Sequence, residues 1–176
     1  MRWVTDVEQA RELLLQAGTC HVVDNRRVST PLECTSFDDA GTCTAEFNTL
    51  IQSLMKLSGD EKCNYIVLDP DPIQYFLRHF NKYPILEICA GDSSEQYLAL
   101  LNEDPGGSPA DAVGTNCYEW VILPHSHKWF IHCVRISDDS GGHLWIPESW
   151  IAKALDVYQW LRYPAGLATN TDPSWS

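Results

Sequence analysis

Residues 117–136, CYEWVILPHSHKWFIHCVRI, hold two apolar runs, Cys117–Leu123 and Lys128–Ile136, on either side of Pro124. Proline has no N–H to give to a ladder, so the stretch reads as two strands joined by a turn tight enough for antiparallel pairing. The same pattern recurs upstream. Tyr65-Ile66-Val67-Leu68 is closed by Asp69-Pro70-Asp71-Pro72, Pro84–Cys89 by Ala90-Gly91-Asp92, and Gln96–Leu101 precedes Pro105-Gly106-Gly107. Residues Ile73–Phe80 fit a helical turn or a strand equally. Short runs between short turns predict an antiparallel meander from Cys63 to Ile136.

Helical spacing flanks this region. Thr5-Asp6-Val7-Glu8 has the form of a capping box. Val7, Ala10, Leu14 and Ala17 then share a face, and Gly18 supplies a stop. Residues 20–43 read as a short strand and a loop. A second helix opens near Thr44, carries Phe47, Leu50, Ile51, Leu54 and Leu57, and ends at Ser58-Gly59-Asp60. After the brief apolar run Leu144-Trp145-Ile146, Pro147 and Glu148 suit the first turn of a third helix. Its apolar stripe is Ile151, Ala154, Leu155, Tyr158 and Leu161, and Pro164 ends it. The expected class is α+β: an antiparallel meander sheet packed with two N-terminal helices and one C-terminal helix. One domain spans 1–176, with 1–43 a helix-and-loop extension of a core over 44–176.

Charge narrows the function. Twenty-four Asp and Glu against 12 Lys and Arg give a net charge of −12. A domain that grips phosphate backbones or anionic lipid needs the opposite balance, so neither nucleic acid nor a membrane surface is an expected partner. No run approaches the ~18 apolar residues of a membrane span. Asp6, Glu8 and Glu12 break any signal-peptide pattern, which predicts a cytoplasmic chain. The seven Cys are odd in number and lack a Cys-x-x-Cys pair, as expected for reduced thiols in that compartment.

Catalytic chemistry has little foothold. His125, His127, His132 and Cys133 crowd one stretch, which invites a zinc reading or a small Cys/His-dependent hydrolase. His125 and His127 are the metal candidates, but no carboxylate sits at a recognisable ligand spacing, and a loop feeding a strand explains them as well. No nucleophile elbow and no phosphate-cradling glycine loop occurs. No catalytic residue and no cofactor is therefore assigned. The charge pattern says more. Between Lys82 and Lys128 there is no Lys or Arg, while the interval holds Glu87, Asp92, Glu95, Glu103, Asp104, Asp111 and Glu119. A one-signed surface of this kind attracts a basic partner, or else serves solubility alone. Six of the seven Trp lie from Trp120 onward, as core anchors with room for one or two at an interface.

The order of elements carries a resemblance. A helix over Thr44–Leu57 leads to Ile85-Leu86-Glu87-Ile88 and Tyr97-Leu98-Ala99-Leu100-Leu101. Ile146-Pro147-Glu148, Tyr163-Pro164 and Asp172-Pro173-Ser174-Trp175 follow. Over about residues 44–175 this resembles the first-numbered immunity family of bacterial polymorphic toxin systems, small α+β proteins that end in a helix, a proline-bearing loop and a tryptophan. Residues 1–43 have no counterpart in that family's short form, and the stretch from Pro164 to Trp175 is longer than usual. The resemblance implies a non-enzymatic inhibitor whose partner is a cognate toxin domain, often a nuclease or nucleic-acid deaminase. Its basic active site would be occluded by acidic residues. Thiol titration of the denatured, unreduced chain should report about seven thiols; a count near one would overturn the cytoplasmic expectation.

Overall fold

The computed structural model describes residues 1–20, 32–37, 41–106, 111–135 and 141–162. Seven strands lie in one open antiparallel sheet: β1 (Arg2–Trp3), β2 (Leu32–Phe37), β3 (Lys62–Asp69), β4 (Ile85–Cys89), β5 (Glu119–Pro124), β6 (Phe130–Val134) and β7 (Gly141–Pro147). Their order is β1-β4-β3-β5-β6-β7-β2, so the first two strands of the chain form opposite edges. Five α-helices accompany them among the described residues: α1 (Val7–Cys20), α2 (Ala45–Ser58), α3 (Arg78–Phe80), α4 (Ser94–Leu101) and α5 (Ile151–Val157). The class is α+β. No helix among the described residues is long and apolar enough to cross a membrane.

Strand alternation divides the core into two layers. On one face Tyr65, Val67, Leu86, Trp120, Ile122 and Ile131 meet Phe47, Leu50 and Leu54 of α2, Tyr97 of α4 and Ala154 of α5. The ring of Tyr65 stacks on Trp120 at 4.7 Å, and Phe47 meets Trp120 edge-on at 6.1 Å. On the other face Ile66, Ile85, Val121 and Leu123 pack with Ala10 and Ala17 of α1. Residues 1–20 are thus part of the packed structure, and Phe37 in β2 joins the first layer.

The expected helix α2 forms with both its signals. Thr44 Oγ1 accepts from Phe47 N at 3.2 Å, and Gly59 takes the left-handed conformation at φ 78° and donates to Met55 O. Other boundaries differ. Asp6, not Thr5, caps α1, its Oδ1 accepting from Gln9 N at 2.7 Å, and the helix runs through Gly18. Gln96–Leu101 is no strand: Ser93 and Gln96 make a reciprocal capping box, and Tyr97 and Leu101 bury one side of α4. The meander is therefore confined to β5-β6-β7, with β4 on the far side of β3. Leu144-Trp145-Ile146 belongs to the full strand β7, and α5 stops before Tyr158, although Tyr158 and Leu161 are still buried. Ile73–Phe80 resolves into a π-helical turn, Pro72–Leu77, running into α3. The residues Tyr163-Pro164 and Trp175 of the family resemblance lie outside the described residues.

Backbone hydrogen bonds extend beyond the ladder at both sheet edges. Val4 N donates to Ile85 O beyond the two-residue β1, and Arg162 N donates to Ser36 O at 2.8 Å along the outer side of β2. Arg162 O also accepts from the Thr35 hydroxyl. Where β2 meets β7, the Phe37 ring lies over Gly142, and a Cβ at that glycine would overlap the ring. Phe37 is held between Phe47 and Tyr158 at 5.5 and 6.1 Å and has no room to retreat. Gly142→Ala should cost about 1–3 kcal/mol and lower the melting temperature by roughly 2–10 °C, measured by thermal unfolding.

Candidate partner-binding surface

The acidic interval is dispersed by the fold. Glu87 is 3 % exposed on the α1 face of β4. Its Oε1 accepts from Arg2 Nε at 2.9 Å and its Oε2 from Lys62 Nζ at 2.9 Å. Burial alone raises a carboxyl's pKa, but the hydrogen bonds and charges of Lys62 and Arg2 outweigh it and hold Glu87 below its ordinary value. Glu87 thus ties β1 and β3 to β4, and the expectation that it faces a partner is corrected. Asp92 is also engaged within the fold. Its Oδ2 accepts from Cys89 N at 2.6 Å and lies 2.7 Å from the Met1 amino nitrogen.

The remaining carboxylates keep solvent access at two ends of the sheet. Glu95 is exposed in the first turn of α4, beyond the end of β4. Helix α4 then runs back, and Glu103, Asp104, Asp111 and Glu119 collect at the opposite end. Glu103 lies 3.6 Å from Lys82, just before β4. Asp104 Oδ1 accepts from Gly106 N at 2.6 Å, closing a turn. Asp111 Oδ1 accepts from the Tyr75 hydroxyl at 2.8 Å, and that hydrogen bond, with burial second, raises the tyrosine's pKa. Glu119 opens β5 opposite Asp69, with its Oε1 3.1 Å from His132 Nε2.

Two further carboxylates belong to this end, in the Asp69-Pro70-Asp71-Pro72 turn that closes β3. Asp69 and Asp71 are both exposed, flanking the cis Asp69-Pro70 peptide. Asp71 Oδ1 accepts from Ile73 N at 2.7 Å and Gln74 N at 2.6 Å, capping the π-helical turn. The signal was Asp-Pro-Asp-Pro itself: a cap residue before a proline that needs no N–H bond. Tyr118, 52 % exposed, donates its N–H to Asp69 O and so stands beside them.

The histidine run does not converge. His125 and His127 are exposed in the β5–β6 turn, His127 at φ 51°. Cys133 is buried on the face covered by α2, α4 and α5, and His132 points to the α1 face beside Glu119. Among the described residues no three His, Cys, Asp or Glu side chains group as metal ligands. What the turn does hold is Ser126, whose N and Oγ donate to Asp60 at 2.9 and 2.7 Å. Lys128 Nζ donates to Ser58 O at 2.9 Å and Trp129 Nε1 to Ser58 Oγ at 3.2 Å, so the hairpin is fastened to the end of α2.

Comparison of the chain with protein-family models, with curated proteins and with solved structures gives no match.

Glu87 also offers a pH signature. A carboxyl with a lowered native pKa contributes stability that is fully present above its unfolded value and is lost as pH falls through the native one. Glu87→Gln should cost about 2 kcal/mol at neutral pH. In denaturant titrations the gap from the parent chain should narrow as pH falls below the ordinary carboxyl value of 4.5. A gap unchanged down to acid pH would show that charge plays no part.

Proposed function

We propose that this chain is an immunity protein: it binds a cognate bacterial toxin domain that attacks nucleic acid, as a nuclease or deaminase, and covers its basic active site. One observation supports this reading above the rest. Between Lys82 and Lys128 the chain has no Lys or Arg, and of the carboxylates in that interval Glu95 and Glu103 are exposed while Asp111 and Glu119 are half-buried. A site that binds phosphates carries cations, and carboxylates presented where phosphates would lie compete for them. The family resemblance of residues 44–175 points the same way. On this reading the work is done in the cytoplasm without cofactor or catalysis, and His125 and His127 take no part.

The test uses a toxin domain encoded immediately upstream, with association followed by stopped flow. The association rate should fall at least about tenfold from low to physiological salt, where screening shortens to ~8 Å. Neutralising Glu95, Glu103, Asp104, Asp111 and Glu119 together should slow association by about three- to tenfold. Neutralising the exposed Glu8, Glu12, Glu46, Glu61 and Asp156 matches the change in net charge and should do much less. Asp6 and Asp60 are unsuitable for that comparison, because one caps α1 and the other anchors the β5–β6 hairpin. Equal slowing by both sets would mean that only global charge matters. His125→Ala with His127→Asn should leave binding unchanged.

A further inference from the structure

We propose that a groove beside the π-helical turn binds a small apolar carboxylate, an aryl or alkyl acid carrying a single negative charge. The groove encloses about 570 Å³, within the range of small-molecule sites. Trp3, Val4, Val7, Leu77 and Tyr83 supply its apolar walls. Among the described residues Lys82 is the one charged residue that lines it, and no carboxylate does so. The Lys82 ammonium rests 5.3 Å from the Trp3 ring centre, held at the wall by the negative face of the ring. Its counter-charge, Glu103, stands 3.6 Å away, and both side chains are exposed. That separation is too long for a hydrogen bond and is open to water, so the ammonium keeps donors for an anion.

A second observation points to the same ligand. The Trp3 indole Nε1 is buried and finds no acceptor among the described residues, an unsatisfied donor on a residue of the wall. Such donors are rare in folded chains, and a bound acid brings the oxygen acceptor that this one lacks. Exposed cations also flank the walls in the chain. Arg78 follows Leu77 and makes no ion pair with any described residue, while Arg2 precedes Trp3. Arg2 and Lys62 share the single carboxylate of Glu87, which leaves that trio with a net positive charge. Asp6, between Thr5 and Val7, is turned onto Gln9 N as the cap of α1. The lining itself thus carries positive charge in a chain whose total is −12. That total decides the size of the ligand. An acidic protein brings many carboxylates and is repelled by the rest of the surface, whereas a monoacid needs only the local cation. The walls come from β1, the start of α1 and the π-helical turn, so occupancy braces these segments together and stabilises the fold. This site would bind its acid with or without a toxin partner.

The experiment is amide and indole NMR of the full chain, titrated with phenylpropionate, phenylpropionamide, acetate and a blocked Glu-Glu-Leu-Glu-Glu peptide. Phenylpropionate should saturate and bind about tenfold more tightly than the amide. It should move the Trp3 indole N–H and the amides of Val7, Lys82 and Tyr83, and raise the melting temperature. Acetate, which lacks the apolar body, should leave those signals in place, and the glutamate peptide should bind more weakly than phenylpropionate. Lys82→Gln should bring the acid to within about twofold of the amide and leave the amide affinity as it was. Val7→Trp, which fills the groove from a half-exposed helical position, should abolish binding of both. The comparison of acid with amide on the parent chain stands whether or not either variant folds. Failure of phenylpropionate to bind, equal affinity for acid and amide, or acid binding that survives Val7→Trp would overturn the site. Tighter binding of the glutamate peptide would overturn the monoacid in favour of an acidic segment.

Discussion

Strand β3 is closed from water on both sides, with Cys63, Tyr65 and Val67 facing one layer and Ile66 the other. A sheet with an inner strand buried twice must be covered twice, and that requirement assigns the helices. Helices α2, α4 and α5 take one face, and α1 is drawn over the second, so the N-terminal segment is a necessary layer. The same closure explains Glu87. A carboxylate buried on the α1 face without partners would cost several kcal/mol, and Arg2 and Lys62, each on a neighbouring strand, reach in from the margin to neutralise it. Both cations stay largely solvated, so the protein desolvates one charge and leaves the other two in water.

The features that could be read from the chain are those fixed by local chemistry. Thr44 and Gly59 bracket α2 because capping depends only on the residues at the two ends. The β5–β6 hairpin follows from Pro124 and two apolar runs. Gln96–Leu101 reads as a strand in the sequence because a short apolar run has no period of its own, and the structure makes it a helix. Tyr97 and Leu101 four apart meant a helix, and Ser93 with Gln96 announced it. The places of β1 and β2 were beyond local reading. Two residues make no pattern, and a strand that crosses to the far edge is positioned by contacts more than a hundred residues away, Leu32 to Pro147 among them.

Charge was legible as a sum and illegible as a surface. Seven carboxylates in a cation-free interval suggested one face. Yet the chain turns at Asp92 and returns along α4, which sends the group to both ends of the sheet and buries Glu87. Meanwhile Asp69 and Asp71, outside the interval, arrive at the same end as Asp111 and Glu119 through the pairing of β3 with β5. Sequence distance is a poor guide to proximity wherever strands pair antiparallel.

The backbone contact between Arg162 and Ser36 has a meaning beyond local packing. An outermost strand offers a ladder of unpaired amides to any other extended chain, including its own copies in a crowded cell. Here the polypeptide leaving α5 occupies part of that ladder itself, and Thr35 clasps it with a side-chain hydrogen bond. At the opposite margin β1 is too short, and its Arg2 too charged, to template a neighbour. The two borders of the sheet are thereby made unreceptive to strand addition. That cover is supplied by hydrogen bonds of the backbone and of Thr35, independently of the charge that gives the surface its sign.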